Sequence, residues 1–178
     1  MGWLALALGA LLTFWVVGAH RRLLGLRNEI ESAWRRLADV LALRDAAVEP
    51  LVALLRGPMA GEQGALDAFL AAAAQARQGA AALGSRPLDA PLARQWVAAE
   101  AALAGAASRL LALLEPQPEL RADAEIAPLL AAWTGAQPKL AYARQRLNEA
   151  AEAHDAAIAL FPTTLLARAF GMAPAGRV

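Results

Sequence analysis

The chain has no cysteine among its 178 residues. This absence excludes disulfides, thiolate nucleophiles and metal sites built from cysteine, although it says nothing about the redox compartment. Serine is almost as scarce, and the three serines, Ser32, Ser85 and Ser108, stand outside any GxSxG or SxxK motif. We therefore expect no serine-based nucleophilic catalysis.

Only two histidines are present, and neither has the neighbours of a metal site. His20 and His154 lack an HExxH motif and a nearby cysteine. Because His154 falls on an apolar stripe, we interpret it as a half-buried, hydrogen-bonded packing residue. The glycine-rich stretch over residues 57–64 lacks the lysine and the preceding strand of a phosphate-binding loop. The sequence thus predicts no enzyme, no cofactor and no metal site.

An excess of one charge is also missing. Lysine and arginine together number 17 and aspartate and glutamate 16, which gives a formal net charge of +1. Since these charges are scattered along the chain, it lacks the basic field that gathers nucleic acid. We expect no nucleic-acid partner.

A long uncharged run stands at the start of the chain. Residues 2–19 carry no charged side chain, and His20, Arg21 and Arg22 follow at once. As a helix this run is roughly 27 Å long, close to the ~30 Å hydrocarbon core of a bilayer. It predicts a transmembrane anchor that contacts the lipid bilayer. A cleaved signal peptide stays an alternative, although the long apolar run and the adjacent arginines favour the anchor.

The distribution of arginine predicts the orientation of that anchor. Arg21, Arg22 and Arg27 all follow the run, and nothing equivalent precedes it. The positive-inside rule then places the N-terminus outside and residues 20–178 in the cytoplasm.

Apolar residues recur at spacings of three and four from Leu26 onward, which is the period of an amphipathic helix. No turn signal separates this stripe from the anchor. We predict one long helix that continues from the anchor to about Arg56, with a kink at Pro50.

Further helices follow between short breaks rich in glycine and proline. They are predicted over residues 65–83, from Leu92 to Leu114, and after Pro118 to Leu160. The last is expected to kink where Gly135 and Pro138 interrupt it. No segment alternates apolar and polar residues as a strand does. The pattern predicts an all-α protein, an antiparallel up-down bundle of long helices whose first helix is continuous with the transmembrane helix.

This division gives an anchor over residues 1–19, a helical-bundle domain over 20–172 and a flexible tail over 173–178. A short apolar element from Phe161 to Met172 closes the domain. It is either a plug for the end of the bundle or a surface that docks on the bilayer. The candidate residues for that contact are Phe161, Leu165, Leu166, Arg168 and Phe170.

A set of polar residues is expected near the membrane end, because an antiparallel return brings the first and last helices together there. Its members are Arg27, Asn28, Arg144, Asn148 and Asp155. On a structural interpretation the arginines pair with carboxylates and the asparagines fix helix register. On a functional interpretation the set forms a notch for a partner peptide or an envelope ligand. Both interpretations stay open.

Two groups of residues carry a resemblance to a known family. They are Leu26 to Asn28, Ala33 and Trp34, Arg44, Leu51 and Val52 near the start, and Ala141 to Arg144, Asn148, Asp155, Phe161 and Pro162, Leu165, Ala167, Phe170 and Gly171 near the end. These motifs resemble the opening and closing signatures of the bacterial LemA family. Residues 57–115 match only in helical character.

The resemblance implies a helical bundle on an anchor in the bacterial cytoplasmic (inner) membrane. It also implies no established enzymatic activity, no cofactor and no settled biochemical role. The chain departs from the family's usual residues at His20, Arg21, Ala38, Glu49, Pro50, Leu147, His154 and Asp155. Either this member has altered a shared binding stripe, or it has a divergent packing solution.

We therefore expect a non-enzymatic, membrane-anchored scaffold or adaptor that binds another membrane or envelope protein. The alternative is a module that binds an envelope lipid or a surface ligand through the membrane-proximal polar residues and the C-terminal apolar element.

Overall fold

A computed structural model describes residues 2–160, 164 and 174–178, apart from the side chains of residues 4, 5, 8 and 12. The described residues form helices and no strand, so the prediction of an all-α protein is confirmed. The helices are α1 (Gly2–Asp45), α2 (Val48–Leu55), α3 (Gln63–Ser85), α4 (Ala90–Leu114), α5 (Pro118–Arg121) and α6 (Ile126–Ala159), with a 3₁₀ turn over Ala60–Glu62.

The first helix ends earlier than the sequence predicts. Instead of kinking at Pro50 and continuing to Arg56, α1 ends at Asp45, and α2 begins after a turn at residues 46–47. The proline ring crowds the carbonyl group four residues before it, which lies in this turn. Pro50 itself stands in the first turn of α2, where its missing N–H removes no intrahelical bond.

The last long stretch is also interrupted at a different place from the predicted one. A break separates α5 from α6, and the carboxylate of Asp123 accepts the backbone N–H groups of Glu125 and Ile126 at 2.8 and 3.2 Å. These bonds satisfy donors at the start of α6 that have no intrahelical partner. Pro138 lies inside α6 on its exposed side, and the helix continues through it.

The long helices pack as two pairs, α1 against α6 and α3 against α4. The first pair runs in opposite directions, because Leu23 near the start of the chain packs with Ala157 and Ile158 at the end of α6. Two large clusters of buried side chains lie between the helices. One is built around Leu55, Leu66, Phe69, Leu110 and Trp133, and the other around Ile30, Leu37, Trp96, Leu140 and Leu147.

Among the described residues, α4 is the helix that is long and apolar enough to cross a membrane. It buries Trp96, Glu100 and Leu103, and it packs against α3 as a core helix does. The predicted anchor forms the first part of α1, where Trp3 and Phe14 are 88% and 83% exposed. Large apolar side chains on such a surface need a cover that the helices themselves do not supply.

Candidate functional site

An arginine and a glutamate meet in the interior between α1 and α4. Arg44 donates from Nη1 to Oε2 of Glu100 at 2.7 Å and from Nη2 to Oε1 at 2.9 Å. The two residues are only 2% and 7% exposed. This two-pronged geometry matches the planar fork of a guanidinium to a carboxylate and is the strong form of such a bond.

Two more charged groups complete the cluster. Arg144 of α6 donates from Nη2 to Oε2 of Glu100 at 2.9 Å, and Arg44 donates from Nε to Oδ1 of Asp45 at 2.9 Å. Two cations and two anions therefore balance in formal charge. Burying an ion without a partner is very costly, and this arrangement removes most of that cost. We call these four residues the ion cluster.

Each arginine of the ion cluster also lies over an indole ring. The guanidinium carbon of Arg44 is 5.3 Å from the ring centre of Trp133, and that of Arg144 is 4.8 Å from the ring centre of Trp96. A guanidinium over an aromatic face is attracted by the ring quadrupole, and more strongly where water is excluded. The cluster is thereby fixed to the apolar core on two sides.

The environment acts on the two arginines in opposite directions. Burial lowers the pKa of Arg44, but the hydrogen bonds and charges of Glu100 and Asp45 outweigh it, and the pKa of Arg44 is raised. Burial also lowers the pKa of Arg144, and the charge of Arg44 adds to this, so the attraction of Glu100 only partly compensates. An arginine starts so far above neutral pH that both stay charged.

Two buried donors beside the ion cluster have no hydrogen-bond partner among the described residues. They are Nε of Arg144 and Nε1 of Trp96. A buried donor without a partner costs about 1–3 kcal/mol. The stacking of the same two side chains offsets part of this cost.

An open groove runs beside the ion cluster, with α1 and α2 on one side and α3 on the other. It encloses a cavity of about 830 Å³, a volume in the range of ligand pockets. Its surface is mostly apolar, with small side chains on both walls. The main lining residues are Trp34, Ala38, Leu41, Ala42, Ala80 and Ala81, with Asp45, Glu49 and Arg77 as the charged ones. We call this feature the α1–α3 groove.

The α1–α3 groove meets the ion cluster directly through Asp45 and indirectly through Trp96, whose ring lies against Arg144. Asp45 lines the groove and is bound to Arg44. Trp34 also lines the groove, and its ring meets that of Trp96 edge-on, with centres 5.7 Å apart and planes at 82°. Edge-to-face contact is a favoured arrangement of aromatic rings. A change in the α1 wall therefore bears on the ion cluster.

The five polar residues predicted from the sequence fall into three different environments. Arg27 is exposed and lies 3.6 Å from Glu31 on its own helix, and Asn28 is exposed beside it. Arg144 belongs to the ion cluster. Asn148 and Asp155 share one face of α6 and bind backbone groups of residues 174–178.

Residues 174–178 differ from the flexible tail that the sequence predicts. Ala175 and Gly176 are buried, and Ala175 belongs to the second core cluster. The composition of residues 174–178 does not predict this packing, because the hydrogen bonds to Asn148 and Asp155 are made by backbone groups of the segment and not by its side chains. His154 packs on the core as predicted, but it is buried rather than half-buried, at 4% exposure, and its Nδ1 lies 3.4 Å from Oδ1 of Asp155. Phe161, Leu165, Leu166, Arg168 and Phe170 lie outside the described residues.

Glu100 and Asp45 are residues of the ion cluster that the sequence analysis did not single out. Only for Glu100 can a sequence pattern be named. A signal was present, since it is the one carboxylate on the buried face of α4, between Trp96 and Leu103. The residues that the structure describes contain no group of three or more histidine, cysteine, aspartate or glutamate side chains able to hold a metal.

The fold and the site define the class of the protein. It is an all-α protein whose helices enclose a charge-balanced ion cluster beside an open apolar groove. The LemA family model matches residues 33–177, which is most of the chain, and the protein belongs to the LemA family. The resemblance found in the sequence is thus confirmed. No match is found among curated proteins.

Proposed function

We propose that the protein is a non-enzymatic, membrane-anchored scaffold that binds a helix of another membrane or envelope protein in the α1–α3 groove. The observation that carries the proposal is the α1–α3 groove itself, an open and mostly apolar groove between helices. A helix in an apolar groove is a common mode of recognition between proteins.

The dimensions of the groove favour a helix as the occupant. Its lining on α1 extends from Trp34 to Asp45, a rise of about 16 Å along helical backbone. That length accommodates about three turns of a second helix. Small side chains at Ala38, Ala42 and Ala81 let a helix backbone come close to both walls.

The charges at the groove indicate which helix fits. Two carboxylates, Asp45 and Glu49, line it against one cation, Arg77. Glu49 and Arg77 lie 3.3 Å apart in an exposed pair, which solvent weakens. A partner helix with small or apolar residues on one face and a basic residue near Glu49 would complement this surface.

The distance between the α1–α3 groove and the bilayer favours a protein over a lipid as the partner. If residues 2–19 span the bilayer, Trp34 lies about 20 Å beyond its surface along α1. An acyl chain in the bilayer does not reach that far, whereas the part of a membrane protein outside the bilayer does.

Photo-crosslinking of the full chain in native membranes tests the proposal. A photoreactive side chain is placed at Ala42 or Ala81 in the groove, with the exposed Ala104 on α4 as the control. We expect both groove positions to crosslink to the same segment of one protein, and the control not to. Equal crosslinking from all three positions, or none from the groove, would reject the proposal.

A charge exchange makes the test specific. Glu49→Lys is expected to abolish the crosslink, and a glutamate in place of the basic residue found in the mapped segment is expected to restore it. A mapped segment without a basic residue near Glu49 counts against this mode of binding.

The proposal includes the orientation predicted from the arginines, with residues 20–178 in the cytoplasm. Fusions after Val178 test it in whole cells. A fluorescent protein that matures only in the cytoplasm is expected to be active there, and a phosphatase that needs an oxidising compartment to be inactive. The reverse pair of results would overturn the orientation.

A second candidate function is binding of an anionic lipid headgroup close to the membrane. A cavity of about 320 Å³ lies between α1 and the loop before α4. Its lining includes Arg27 and Arg86, together with Glu31 and Asp89, which lie 3.6 and 3.2 Å from those two arginines. A headgroup phosphate would therefore have to compete with these carboxylates for the arginines. Arg27 is about 12 Å past residue 19 along α1, within reach of the headgroups if the anchor spans the bilayer. Native mass spectrometry of the full chain released from mixed-lipid nanodiscs tests this function. Retained anionic lipid that is lost in Arg27→Gln with Arg86→Gln would support it.

A further inference from the structure

Residues 174–178 lie between α6 and the start of α4, and fixed groups on both sides bind their backbone. The N–H of Ala175 donates to Oδ1 of Asp155 at 2.7 Å, and the N–H of Gly176 donates to the carbonyl oxygen of Leu88 at 3.2 Å. We call the surface that holds this segment the tail groove.

The side-chain amide of Asn148 makes the closest contact. Its Oδ1 accepts the N–H of Val178 at 2.8 Å, and its Nδ2 donates to the backbone oxygen of Val178 at 2.6 Å. The side-chain amide of Asn148 therefore hydrogen-bonds both backbone groups of a single residue, as a neighbouring strand does in a sheet. These bonds do not depend on the side chain of Val178.

The spacing of the two polar side chains on α6 matches the repeat of an extended peptide. Asn148 and Asp155 are seven residues apart, which is about 10.5 Å along the helix. Ala175 and Val178, which they bind, are three residues apart, and three extended residues span about 10 Å. Two side chains seven residues apart on α6 therefore match backbone groups three residues apart in an extended chain that runs antiparallel to α6.

The tail groove selects small residues at two places. A side chain at Gly176 would bring its Cβ to 2.6 Å from Cβ of Ala93 and 2.8 Å from Cα of Ala90, which are fixed parts of α4. Ala175 is 7% exposed in the core. Pro174 and Arg177 are exposed, so their positions accept many side chains.

We propose that the tail groove is a binding site for extended peptides that carry a small residue followed by glycine, and that residues 174–178 are its ligand in cis. The site is separate from the α1–α3 groove. A peptide from another molecule binds by displacing these residues. Because the cis segment is held at an effective concentration in the millimolar range, its release strengthens binding from outside.

A labelled peptide with the sequence of residues 174–178 tests the proposal by fluorescence anisotropy. The receptor is the full chain in detergent with Gly176→Val, which removes the cis segment from the tail groove. We expect the peptide to bind this variant at least tenfold more tightly than the unaltered chain. We expect binding to be lost when Asn148→Leu is added to the receptor.

Matched peptides separate specific binding from adsorption. A peptide in which valine replaces the glycine is expected to bind at least tenfold more weakly, and one in which alanine replaces the exposed arginine is expected to bind within threefold of the native peptide. Failure of the native peptide to bind a variant with unchanged helical circular dichroism would overturn the proposal. Equal binding of the glycine and valine peptides would overturn it as well.

A measurement on a chain with its glycine intact covers the case in which Gly176→Val does not fold. The chain has no cysteine, so Glu152→Cys with Arg177→Cys provides two sites for spin labels. The native side chains at these exposed positions are neighbours, with Nη1 of Arg177 3.5 Å from Oε1 of Glu152. Added native peptide is expected to lengthen the distance between the labels, and the valine peptide to leave it unchanged. An unchanged distance at millimolar native peptide would count against exchange.

Discussion

Arg44 and Glu100 stand 56 positions apart in the sequence and meet in a two-pronged ion pair at 2.7 and 2.9 Å. The pair joins α1 to α4, which belong to different helix pairs, and Arg144 brings in α6 through the same carboxylate. One glutamate thus connects three helices. Its charge holds Arg44 in the interior and the half-buried Arg144 beside it, so its loss affects all three helices.

Glu100→Gln is the most direct test of that role. The substitution keeps the shape of the side chain but leaves Arg44 and Arg144 without their shared counter-charge. We expect a loss of about 3–5 kcal/mol in the free energy of unfolding, since breaking a buried ion pair strands its partner. Urea unfolding of the full chain in mild detergent, followed by circular dichroism, measures the loss.

Two controls show whether the instability of Glu100→Gln comes from the unpaired charge of the buried arginines or from the loss of ion-pair contacts as such. Arg56→Ala breaks the exposed pair with Asp67 and is expected to cost less than about 1 kcal/mol. Replacing Arg44 and Arg144 by methionine together with Glu100→Leu is expected to recover most of the loss, because well-packed apolar groups often replace a buried ion network without penalty. A triple variant as unstable as Glu100→Gln would contradict this explanation.

Asp89→Ala tests the boundary between α3 and α4. The carboxylate of Asp89 accepts the N–H of Leu92 at 3.0 Å and so caps the start of α4. We expect its loss to cost about 1 kcal/mol of unfolding free energy. Glu125→Ala is the matched control, because the side chain of Glu125 makes no capping bond at the start of α6. Equal losses in the two variants would argue against a capping role.

The helices were predictable because their signals are local. The period of apolar residues and the Gly- and Pro-rich breaks predicted helices over 65–83 and from Leu92 to Leu114, and the structure has α3 and α4 there. The end of α1 was predicted wrongly, because the effect of Pro50 falls on the residues before it. From the sequence pattern, the position of a helix break caused by a proline can therefore be predicted only to within one helical turn.

The partners of the polar residues were less predictable, because they depend on which helices become neighbours. Arg144 was expected near Arg27, yet it binds Glu100 of α4. The seven-residue spacing of Asn148 and Asp155 was visible, but their ligand is a backbone, and backbone groups leave no trace in composition. Sequence patterns show which residues share a face, and the lateral pairing of helices decides what that face meets.

Asn148→Ala tests whether the tail groove contributes to stability. The substitution removes both bonds to Val178, and we expect a loss of about 1–2 kcal/mol in the free energy of unfolding. Hydrogen exchange at the amide of Val178 is expected to become faster as well. Asn28→Ala, at an exposed position on α1, is the matched control and is expected to change stability by less than about 0.5 kcal/mol. Unchanged exchange at Val178 would show that other contacts hold the segment.

Gly84→Ala tests how closely α3 approaches α1 at the α1–α3 groove. A Cβ at this position would lie 2.8 Å from Nε1 of Trp34 and 3.4 Å from Cε2 of the same ring. Trp34 cannot retreat easily, because it is 7% exposed and its ring packs edge-on against Trp96. We expect a net loss of about 1–2 kcal/mol, since crowding outweighs the small gain in helix propensity near the end of α3.

Gly105→Ala is the matched control for that substitution. Gly105 lies inside α4, and a Cβ there would meet nothing within 4 Å. Alanine in the interior of an exposed helix face is expected to stabilise by about 0.5–1 kcal/mol, so the two substitutions should act in opposite directions. Urea unfolding gives both values, and the tryptophan emission of Gly84→Ala should shift as Trp34 moves. If both variants were stabilised to the same extent, α3 and α1 would not be in the close contact on which the shape of the groove depends.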